Sequence, residues 1–329
     1  MVELGTHRAG FSYGNFASGE NADLRFADST ETVELSYQID DWNTNGSSYV
    51  WVAVDALTNS SSIYAYWGKS GETAPAYTTN GATFSNGFVG VWHLEESGDG
   101  TADEFKDSTP TGNHGRGGGG AASGVPARTS PGKIAAANDF DVSGDWVDVA
   151  DDASLQITDA VTISGWVYVE NSKSGGNNQY VLTKQNKYAL VVKDDETIDF
   201  FGKGSTRTTE SISLNAWHHI AGTYDKDAGA NNSTVYIDGR VSIQLTKTGA
   251  LSTDGFVLRI GTYSNGGTLA GNGGWNFDGN IDEVRLSNVA RSTNWMFATW
   301  LNMASNNVFQ TYGEVGAEFV PPGTVIFVR

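Results

Sequence analysis

The most constraining feature of this sequence is an alternating strand near its end that runs directly into a capped helix. On the strand at 281–287, Asp282, Val284 and Leu286 recur at every second position, which predicts that they share one face. Ser292 has the side chain of a helix N-cap, and apolar residues then recur at helical spacing. The sequence therefore predicts a β-patterned chain in which 291–303 is the main helix.

Elsewhere the apolar residues mostly follow the two-residue period of half-buried strands. Segment 32–39 alternates in this way, and 62–67 is a further strand candidate. Asp238 and Gly239 divide 233–245 into two alternating halves, which predicts a hairpin turn between two strands. We therefore expect an all-β protein.

Several motifs of the second part of the chain resemble one family. The run FDGNIDEVRLSNVA at 277–290 resembles the closing signature of laminin-G-like, concanavalin A-like jelly-roll domains, and AWHHIAGTYD at 216–225 and VYIDG at 235–239 resemble the middle strands of that family. The resemblance implies a jelly-roll sandwich over 88–316. It also implies a binding role, because such domains bind sugars or proteins more often than they catalyse reactions.

The first part of the chain resembles an uncharacterised extracellular module that often precedes laminin-G-like domains. The matching pieces are NADLRF at 21–26, LSYQI at 35–39, WVAV at 51–54 and IYAYWG at 63–68. A polar run at 78–87 has the composition of a linker. The resemblance implies a smaller β-sandwich module at 1–87, followed by the jelly-roll domain at 88–316 and a tail at 317–329.

The composition of the chain narrows its partners and its location. A net charge of −18 over 329 residues argues against nucleic acid and anionic membranes as partners. No run approaches the roughly 20 apolar residues of a membrane span, and 2–8 is too short and too polar for a signal peptide. Cysteine is absent, so neither disulfides nor cysteine metal sites are expected. An extracellular or cell-surface location follows from the family resemblance alone.

The sequence lacks the motifs by which sandwiches of this kind usually catalyse. No strand has the E-x-D-x-x-E pattern that places alternate carboxylates in the groove of family 16 glycoside hydrolases, and no G-x-S-x-G elbow is present. We therefore expect non-catalytic polysaccharide binding. Two alternatives stay open: a structural or adhesive module that contacts neighbouring surface-protein domains, and a polysaccharide-degrading enzyme.

Two loops have the side chains that a sugar site needs. Pyranose rings present C–H faces to aromatic side chains and paired hydroxyls to amides and carboxylates. The glycine-rich loop 262–276 and a second loop at 177–180 combine aromatic and amide residues. The predicted ligand-binding residues are Tyr263, Asn265, Trp275, Asn276, Asn178 and Tyr180. Trp275 could equally cover the edge of the sandwich as a structural plug.

A calcium site is the second candidate. In laminin-G-like folds the first and last strands are commonly neighbours, so the loop that contains Asp107 and Asn113 is expected near Asp282. Carboxylate and amide oxygens are the ligands that Ca²⁺ prefers, and a buried carboxylate needs a cation or hydrogen bonds. Two interpretations follow: a structural Ca²⁺ ion bound by Asp107, Asn113 and Asp282, or carboxylates that accept N–H hydrogen bonds.

The tail contains a run of β-forming residues without charge at 324–328. An exposed run of this kind favours aggregation. By its resemblance, the first module lacks an early strand that its family usually has, so we expect it to present an open sheet edge. We hypothesise that 324–328 adds a strand to the 1–87 module. The alternative is a disordered segment that leads into a further domain.

Overall fold

A computed structural model describes residues 1–141, 144–265, 268–269, 275–316 and 324–328, with the backbone alone for 264–265, 268–269 and 324–328. The fold is nearly all β and is built of sandwich sheets, which confirms the predicted class. The chain divides into two units, Met1–Ser85 with Leu301–Arg329, and Asn86–Trp300. No helix in the described ranges is long and apolar enough to cross a membrane.

Strands account for most of the regular structure. In chain order they are β1 (Val2–Gly5), β2 (Arg25–Asp28), β3 (Glu34–Leu35), β4 (Tyr37–Asp41), β5 (Ser47–Val52), β6 (Ile63–Trp67), β7 (Phe88–Trp92), β8 (Gly115–Gly117), β9 (Ala127–Thr129), β10 (Ala137–Phe140), β11 (Val147–Val149), β12 (Ala160–Val169), β13 (Gln179–Lys184), β14 (Tyr188–Val192), β15 (Thr197–Gly202), β16 (Gly204–Ser211), β17 (Trp217–Asp225), β18 (Ser233–Ile237), β19 (Arg240–Leu245), β20 (Leu258–Ile260), β21 (Ser264–Asn265), β22 (Thr268–Leu269), β23 (Gly279–Ser287) and β24 (Thr324–Val328). The α-helices are α1 (Thr293–Ala304) and α2 (Asn306–Phe309). Short 3₁₀ turns occupy Tyr13–Asn15, Gly19–Asn21, Ala76–Thr78, Ala82–Phe84, Gly118–Gly120, Ala122–Gly124 and Ala153–Leu155.

The first unit is a small sandwich of two sheets. One has the strand order β1-β5-β4 and the other the order β24-β6-β2-β3. Leu4 and Val50 of the first sheet are buried in one core with Phe26, Ala65 and Trp67 of the second. Alternate residues along each strand therefore face this core, as the two-residue period of the sequence predicts.

The tail strand β24 belongs to the second of these sheets. It pairs with β6 in antiparallel register, with Val325 opposite Tyr66 and Phe327 opposite Tyr64. The hydrogen-bonding edge of β6 is thus paired rather than open at this position. The segment 317–323, which precedes this strand, lies outside the described residues.

The segment 301–316 also groups with the first unit, although the sequence assigns it to the second domain. The side-chain amide of Gln310 donates to the backbone carbonyl of Met1 at 3.0 Å. The hydroxyl of Tyr312 accepts a hydrogen bond from the backbone N–H of Glu3 at 2.8 Å. These contacts join residues from opposite ends of the sequence, so no local pattern could reveal them.

The second unit is a sandwich of two larger sheets. One has the order β19-β18-β17-β12-β23-β10-β9, with β7 also paired to β23, and the other has the order β16-β15-β14-β13-β20-β11-β8. We call them the eight-stranded and the seven-stranded sheet. Their inner faces share one core, to which Val284 and Leu190 contribute fully buried side chains. The first strand of this unit, β7, pairs with its last strand, β23. The two strands are therefore neighbours, as the family resemblance implied.

Helix α1 packs on the outer face of the eight-stranded sheet. Met296 lies in a buried cluster with Ala221 and Tyr236, which are on β17 and β18. The hydroxyl oxygen of Ser292 accepts a hydrogen bond from the backbone N–H of Trp295 at 3.2 Å. Ser292 is therefore the N-cap, as the sequence predicted.

Candidate functional site

Three aromatic rings from separate parts of the chain meet on the outer face of the seven-stranded sheet. Tyr180 is on β13, whereas Tyr263 follows β20 and Trp275 precedes β23. The ring centroids of Tyr180 and Tyr263 are 5.0 Å apart, and those of Tyr263 and Trp275 are 4.9 Å apart with the ring planes at 90°. The two loops that the sequence proposed as separate candidates thus come together, because β13 and β20 are neighbours in the sheet.

The outer side of β14 supports this aromatic cluster. Ala189 and Val191 pack against the rings, while the alternate residues of the same strand face the core. Tyr180 is 8% exposed, and Tyr263 and Trp275 are half-buried. The cluster therefore has a fixed base and two rings that solvent or a ligand can reach.

Amide side chains flank the rings. Oδ1 of Asn276 accepts a hydrogen bond from the hydroxyl of Thr262 at 2.5 Å. The side chain of Asn178 hydrogen-bonds to Tyr180, and its Oδ1 atom has no partner among the residues that the structure describes. Burial, followed by the neighbouring Tyr263, raises the pKa of Tyr180 to about 12. The phenol is therefore neutral, and it can donate a hydrogen bond at physiological pH.

The sixth predicted residue, Asn265, is described only by its backbone. It lies in the two-residue strand β21, which pairs with β22. Its side chain lies outside the described part of the chain. The structure therefore brings four of the six predicted residues together, the three rings and Asn178, which hydrogen-bonds to Tyr180.

An ion pair beside the cluster was not predicted from the sequence. Nε of Arg259 on β20 lies 2.7 Å from Oδ1 of Asp148 on the adjacent strand β11. The guanidinium group also donates to the backbone carbonyl of Tyr263 at 3.4 Å. The pair thus anchors the start of the loop that contains Tyr263. The only signal in the sequence was that both residues occupy polar positions of otherwise apolar strands.

The carboxylate of the first calcium candidate, Asp107, accepts hydrogen bonds from protein donors on both oxygens. The backbone N–H groups of Val91, Thr109 and Asn113 donate to it at 2.9, 2.9 and 2.8 Å. The hydroxyls of Thr109 and Thr111 donate at 2.7 and 3.1 Å. The side-chain amide of Asn113 donates to a backbone carbonyl near the start of β7 at 2.7 Å. This is the hydrogen-bonded arrangement that the sequence left open as the alternative to calcium.

A β-bulge at Glu283 overturns the predicted alternation of the strand at 281–287. The register of β23 against β12 shifts at this point, and Glu283 has a positive φ of 53°. One extra residue in a strand moves the following side chains to the opposite face. Val284 and Leu286 face the core, and the prediction that Asp282 shares their face is wrong.

Asp282 instead lies fully buried under the loop that precedes β10. Its Oδ2 atom accepts hydrogen bonds from the backbone N–H groups of Lys133 and Ile134 at 2.8 and 2.9 Å. The donors of Asp107 come from a different loop of the chain. The calcium site at Asp107, Asn113 and Asp282 therefore stays a proposal, and each carboxylate has N–H donors of its own.

Next to Asp282, a buried ionic network fixes the bulge. Oε1 of Glu283 lies 2.7 Å from Nδ1 of His93, and its Oε2 lies 2.5 Å from Nη2 of Arg285. Burial alone would raise the pKa of Glu283, but the charges of His93 and Arg285 outweigh burial and hold that pKa below its usual range. The carboxylate therefore stays ionised, and it links the imidazole of His93 to the guanidinium group of Arg285.

Sequence profiles of two families match the chain. The profile of the Concanavalin A-like lectin/glucanases superfamily matches residues 141–296. The profile of a domain of unknown function (DUF2341) matches residues 20–95. Both matches confirm the resemblances seen in the sequence. Comparison with curated proteins gave no match.

Three solved structures with a similar fold are 15–16% identical to this chain. Domain 4 of AbnA, a GH43 extracellular arabinanase from Geobacillus stearothermophilus in complex with arabinotriose, has a TM-score of 0.45 at 16% identity, over 64% of this chain and 96% of that chain. The binding domain of Paraclostridial Mosquitocidal Protein 1 has a TM-score of 0.48 at 15% identity, over 67% and 53%. A Trypanosoma rangeli sialidase has a TM-score of 0.47 at 15% identity, over 72% and 35%. The chain thus spans about half of the toxin domain and a third of the sialidase.

Proposed function

The chain contains a concanavalin A-like domain at 141–296 preceded by a domain of unknown function at 20–95, and from this premise we propose that it binds a polysaccharide without cleaving it. The fold alone does not specify a function. The proposal therefore depends on a site, the aromatic cluster on the outer face of the seven-stranded sheet. The proposed ligand-binding residues are Tyr180, Tyr263, Trp275, Asn178, Asn276 and Asn265.

The observation that supports this proposal is the convergence of rings and amides from two loops. A sugar ring needs an apolar aromatic surface for its C–H groups and nearby amides or hydroxyls for its oxygens. Tyr263 and Trp275 supply half-buried rings, and the phenol of Tyr180 is neutral. Oδ1 of Asn178 is a hydrogen-bond acceptor without a partner among the described residues.

A cluster with only a structural role would differ in the exposure of its rings. Its rings would be enclosed, because aromatic side chains stabilise a fold through the area that they bury. The half-buried Tyr263 and Trp275 depart from this arrangement. Their exposure favours binding over a structural plug.

The partner that fits this site is an uncharged or weakly charged polysaccharide outside the cell. The net charge of −18 disfavours nucleic acid and strongly anionic polymers. We propose an extracellular or cell-surface location, since laminin-G-like domains are typically extracellular. The protein would then bind a microbial or algal glycan at its surface.

Affinity electrophoresis through gels that contain single polysaccharides tests the proposal. We expect retardation of the wild-type chain in at least one gel. Y263A and W275A should each weaken retention about 10- to 100-fold, which corresponds to about 1.4–2.8 kcal/mol of binding free energy. W295A is the matched control, because Trp295 is 37% exposed on α1, at the other sheet of the sandwich.

Three outcomes of this experiment count against the proposal. Retention that is equal in Y263A, W275A and the wild type would move the site elsewhere. Release of new reducing ends from a retained polymer would make the chain a polysaccharide-degrading enzyme. The absence of retardation in every gel, together with binding to neighbouring surface-protein domains, would favour the adhesive alternative.

A further inference from the structure

The first unit contains a cavity of about 360 Å³, and none of the sugar or calcium candidates lines it. Its volume lies within the range of roughly 300–1,000 Å³ that is typical of small-molecule sites. Three aromatic residues and three polar residues that line it are Tyr13, Phe16, Trp42, Glu20, Asn21 and Thr44. Aromatic rings beside polar side chains are the combination that a small, hydroxylated ring needs.

The rings at the cavity are held in place by their neighbours. The centroid of Trp42 lies 5.3 Å from that of Tyr13, with the planes at 87°, and 5.1 Å from that of Phe16, with the planes at 90°. The hydroxyl of Tyr13 hydrogen-bonds to the hydroxyl of Ser48 at 2.7 Å and to the carbonyl of Leu4 at 3.2 Å. A ligand would therefore meet rings that are already ordered, and little side-chain entropy would be lost on binding.

Four polar groups at the cavity have no hydrogen-bond partner within the described part of the chain. They are the indole N–H of Trp42 and the side chains of Glu20, Asn21 and Thr44. The indole N–H can only donate, and an ionised carboxylate can only accept. A ligand that satisfies both groups must therefore accept one hydrogen bond and donate another.

The backbone also directs two of these side chains. Glu20 and Asn21 are consecutive residues with positive φ angles of 54° and 80°. This region of backbone conformation is unfavourable for residues with a side chain, and it often marks functional sites. The pair borders the cavity, and neither side chain forms a hydrogen bond with the residues that the structure describes.

We propose that this cavity is a second saccharide site, which takes one neutral sugar ring. A sugar hydroxyl can donate to Glu20 while a hydroxyl or ring oxygen accepts from the indole N–H of Trp42. A quaternary ammonium ion would suit the rings but has no atom that accepts from the indole. An acidic sugar would be repelled by Glu20. The proposal is independent of the aromatic cluster, since every residue of the cavity belongs to the first unit.

The test uses the full chain with the substitution W275A, which removes a ring of the other site. Saccharide binding that persists in this background, and that substitutions in the cavity weaken, then reports the cavity and not the aromatic cluster. Isothermal titration calorimetry measures binding of neutral mono- and disaccharides. Tetramethylammonium and a free uronic acid represent the two competing ligand classes.

Two conservative substitutions and two matched controls are added to this background. W42F removes the indole N–H and keeps an aromatic ring, and E20Q removes the charge and keeps the size. W51F is the control for the first, because the indole N–H of Trp51 donates to a carboxylate at 2.9 Å in the same unit. E31Q is the control for the second, because Glu31 is also exposed and has a φ of 59°.

We expect at least one neutral saccharide to bind the W275A chain. W42F and E20Q should each weaken that binding about tenfold, whereas W51F and E31Q should leave it unchanged. Three results would each overturn the proposal. They are no binding of any neutral saccharide, saccharide binding by W42F and E20Q as strong as by the W275A chain, and binding of tetramethylammonium instead of saccharides. Melting temperatures verify folding, and should W42F unfold, E20Q decides the outcome because Glu20 is exposed.

Discussion

The aromatic cluster on one outer face of the second sandwich contrasts with the buried polar groups around Asp282 on the other outer face. On the seven-stranded sheet, the rings of Tyr263 and Trp275 are half-buried and lie beside amides. On the eight-stranded sheet, Asp282 is 0% exposed and His219 is 1% exposed. Helix α1 packs over part of this second face through Met296.

Under the proposed function, the first face binds a ligand and the second face has a structural role. A face that encloses ionised or polar groups must satisfy them within the protein, because an unpaired buried charge is costly. Oδ2 of Asp282 accepts two hydrogen bonds, from the backbone N–H groups of Lys133 and Ile134. A face with half-buried rings and an unpaired amide still has groups that a ligand can use. The two faces should therefore respond differently to substitution.

Breaking the enclosed face should have the largest effect on stability. In E283A, the buried partner of both His93 and Arg285 is removed. Removal of one member of a buried ion pair costs about 3–5 kcal/mol. We expect the free energy of unfolding, measured by urea denaturation, to fall by about this amount.

The matched control for this substitution is E196A on the seven-stranded side. Glu196 precedes β15 and has a φ of 59°, close to the 53° of Glu283. It takes part in no ion pair within the described ranges. A loss of stability in E283A no larger than in E196A would show that the network does not stabilise the enclosed face.

The pH dependence of stability should report the same face. Burial, and then the charge of Arg285, lowers the pKa of His219 from 6.5 to about 3. Between these values the unfolded chain binds a proton that the folded chain does not, so stability falls as the pH decreases below 6.5. The slope from this group is about 1.4 kcal/mol per pH unit.

H219Q removes this titration and serves as the comparison. Urea unfolding is measured at successive pH values. The free energy of unfolding should fall less steeply with decreasing pH for H219Q than for the wild type. A comparison of the two proteins at neutral pH gives the effect of the substitution itself. Parallel curves would mean that the imidazole is protonated without penalty, and that the face is less enclosed than the structure indicates.

A smaller stability effect is expected on the open face. Trp275 is half-buried, so W275A should lower the free energy of unfolding by about 1 kcal/mol, near the centre of the range for single substitutions. The same variant is expected to show weaker polysaccharide retention. A loss of stability as large as that of E283A would make Trp275 a structural plug and would remove the contrast between the faces.

Local features of the fold were predictable from the sequence because their causes lie within a few residues. Asp238 and Gly239 both have positive φ angles, 48° and 72°, as a tight hairpin turn between β18 and β19 requires. Ser292 caps α1 through its own third neighbour along the chain. In each case the partner that determines the structure is adjacent in sequence.

Features that depend on a distant partner were not predictable. The bulge at Glu283 is a mismatch in length between β23 and β12, which neither strand shows by itself. Tyr180 joins Tyr263 because β13 pairs with β20, and the sequence offered the two loops as alternatives. The pair of Arg259 with Asp148 joins residues 111 positions apart. Residue types at the site were therefore recognisable, but their assembly was not.

The smallest effect is expected from calcium. Five protein donors already bind the carboxylate of Asp107, and two backbone N–H groups bind Asp282, so a cation would have to displace them. Calorimetry in EDTA and in excess Ca²⁺ should give the same melting temperature. A bound ion would instead add about 2.7 kcal/mol at a hundredfold excess over its Kd, and D107N or D282N would abolish that gain. That result would establish the calcium site and give the enclosed face a ligand of its own.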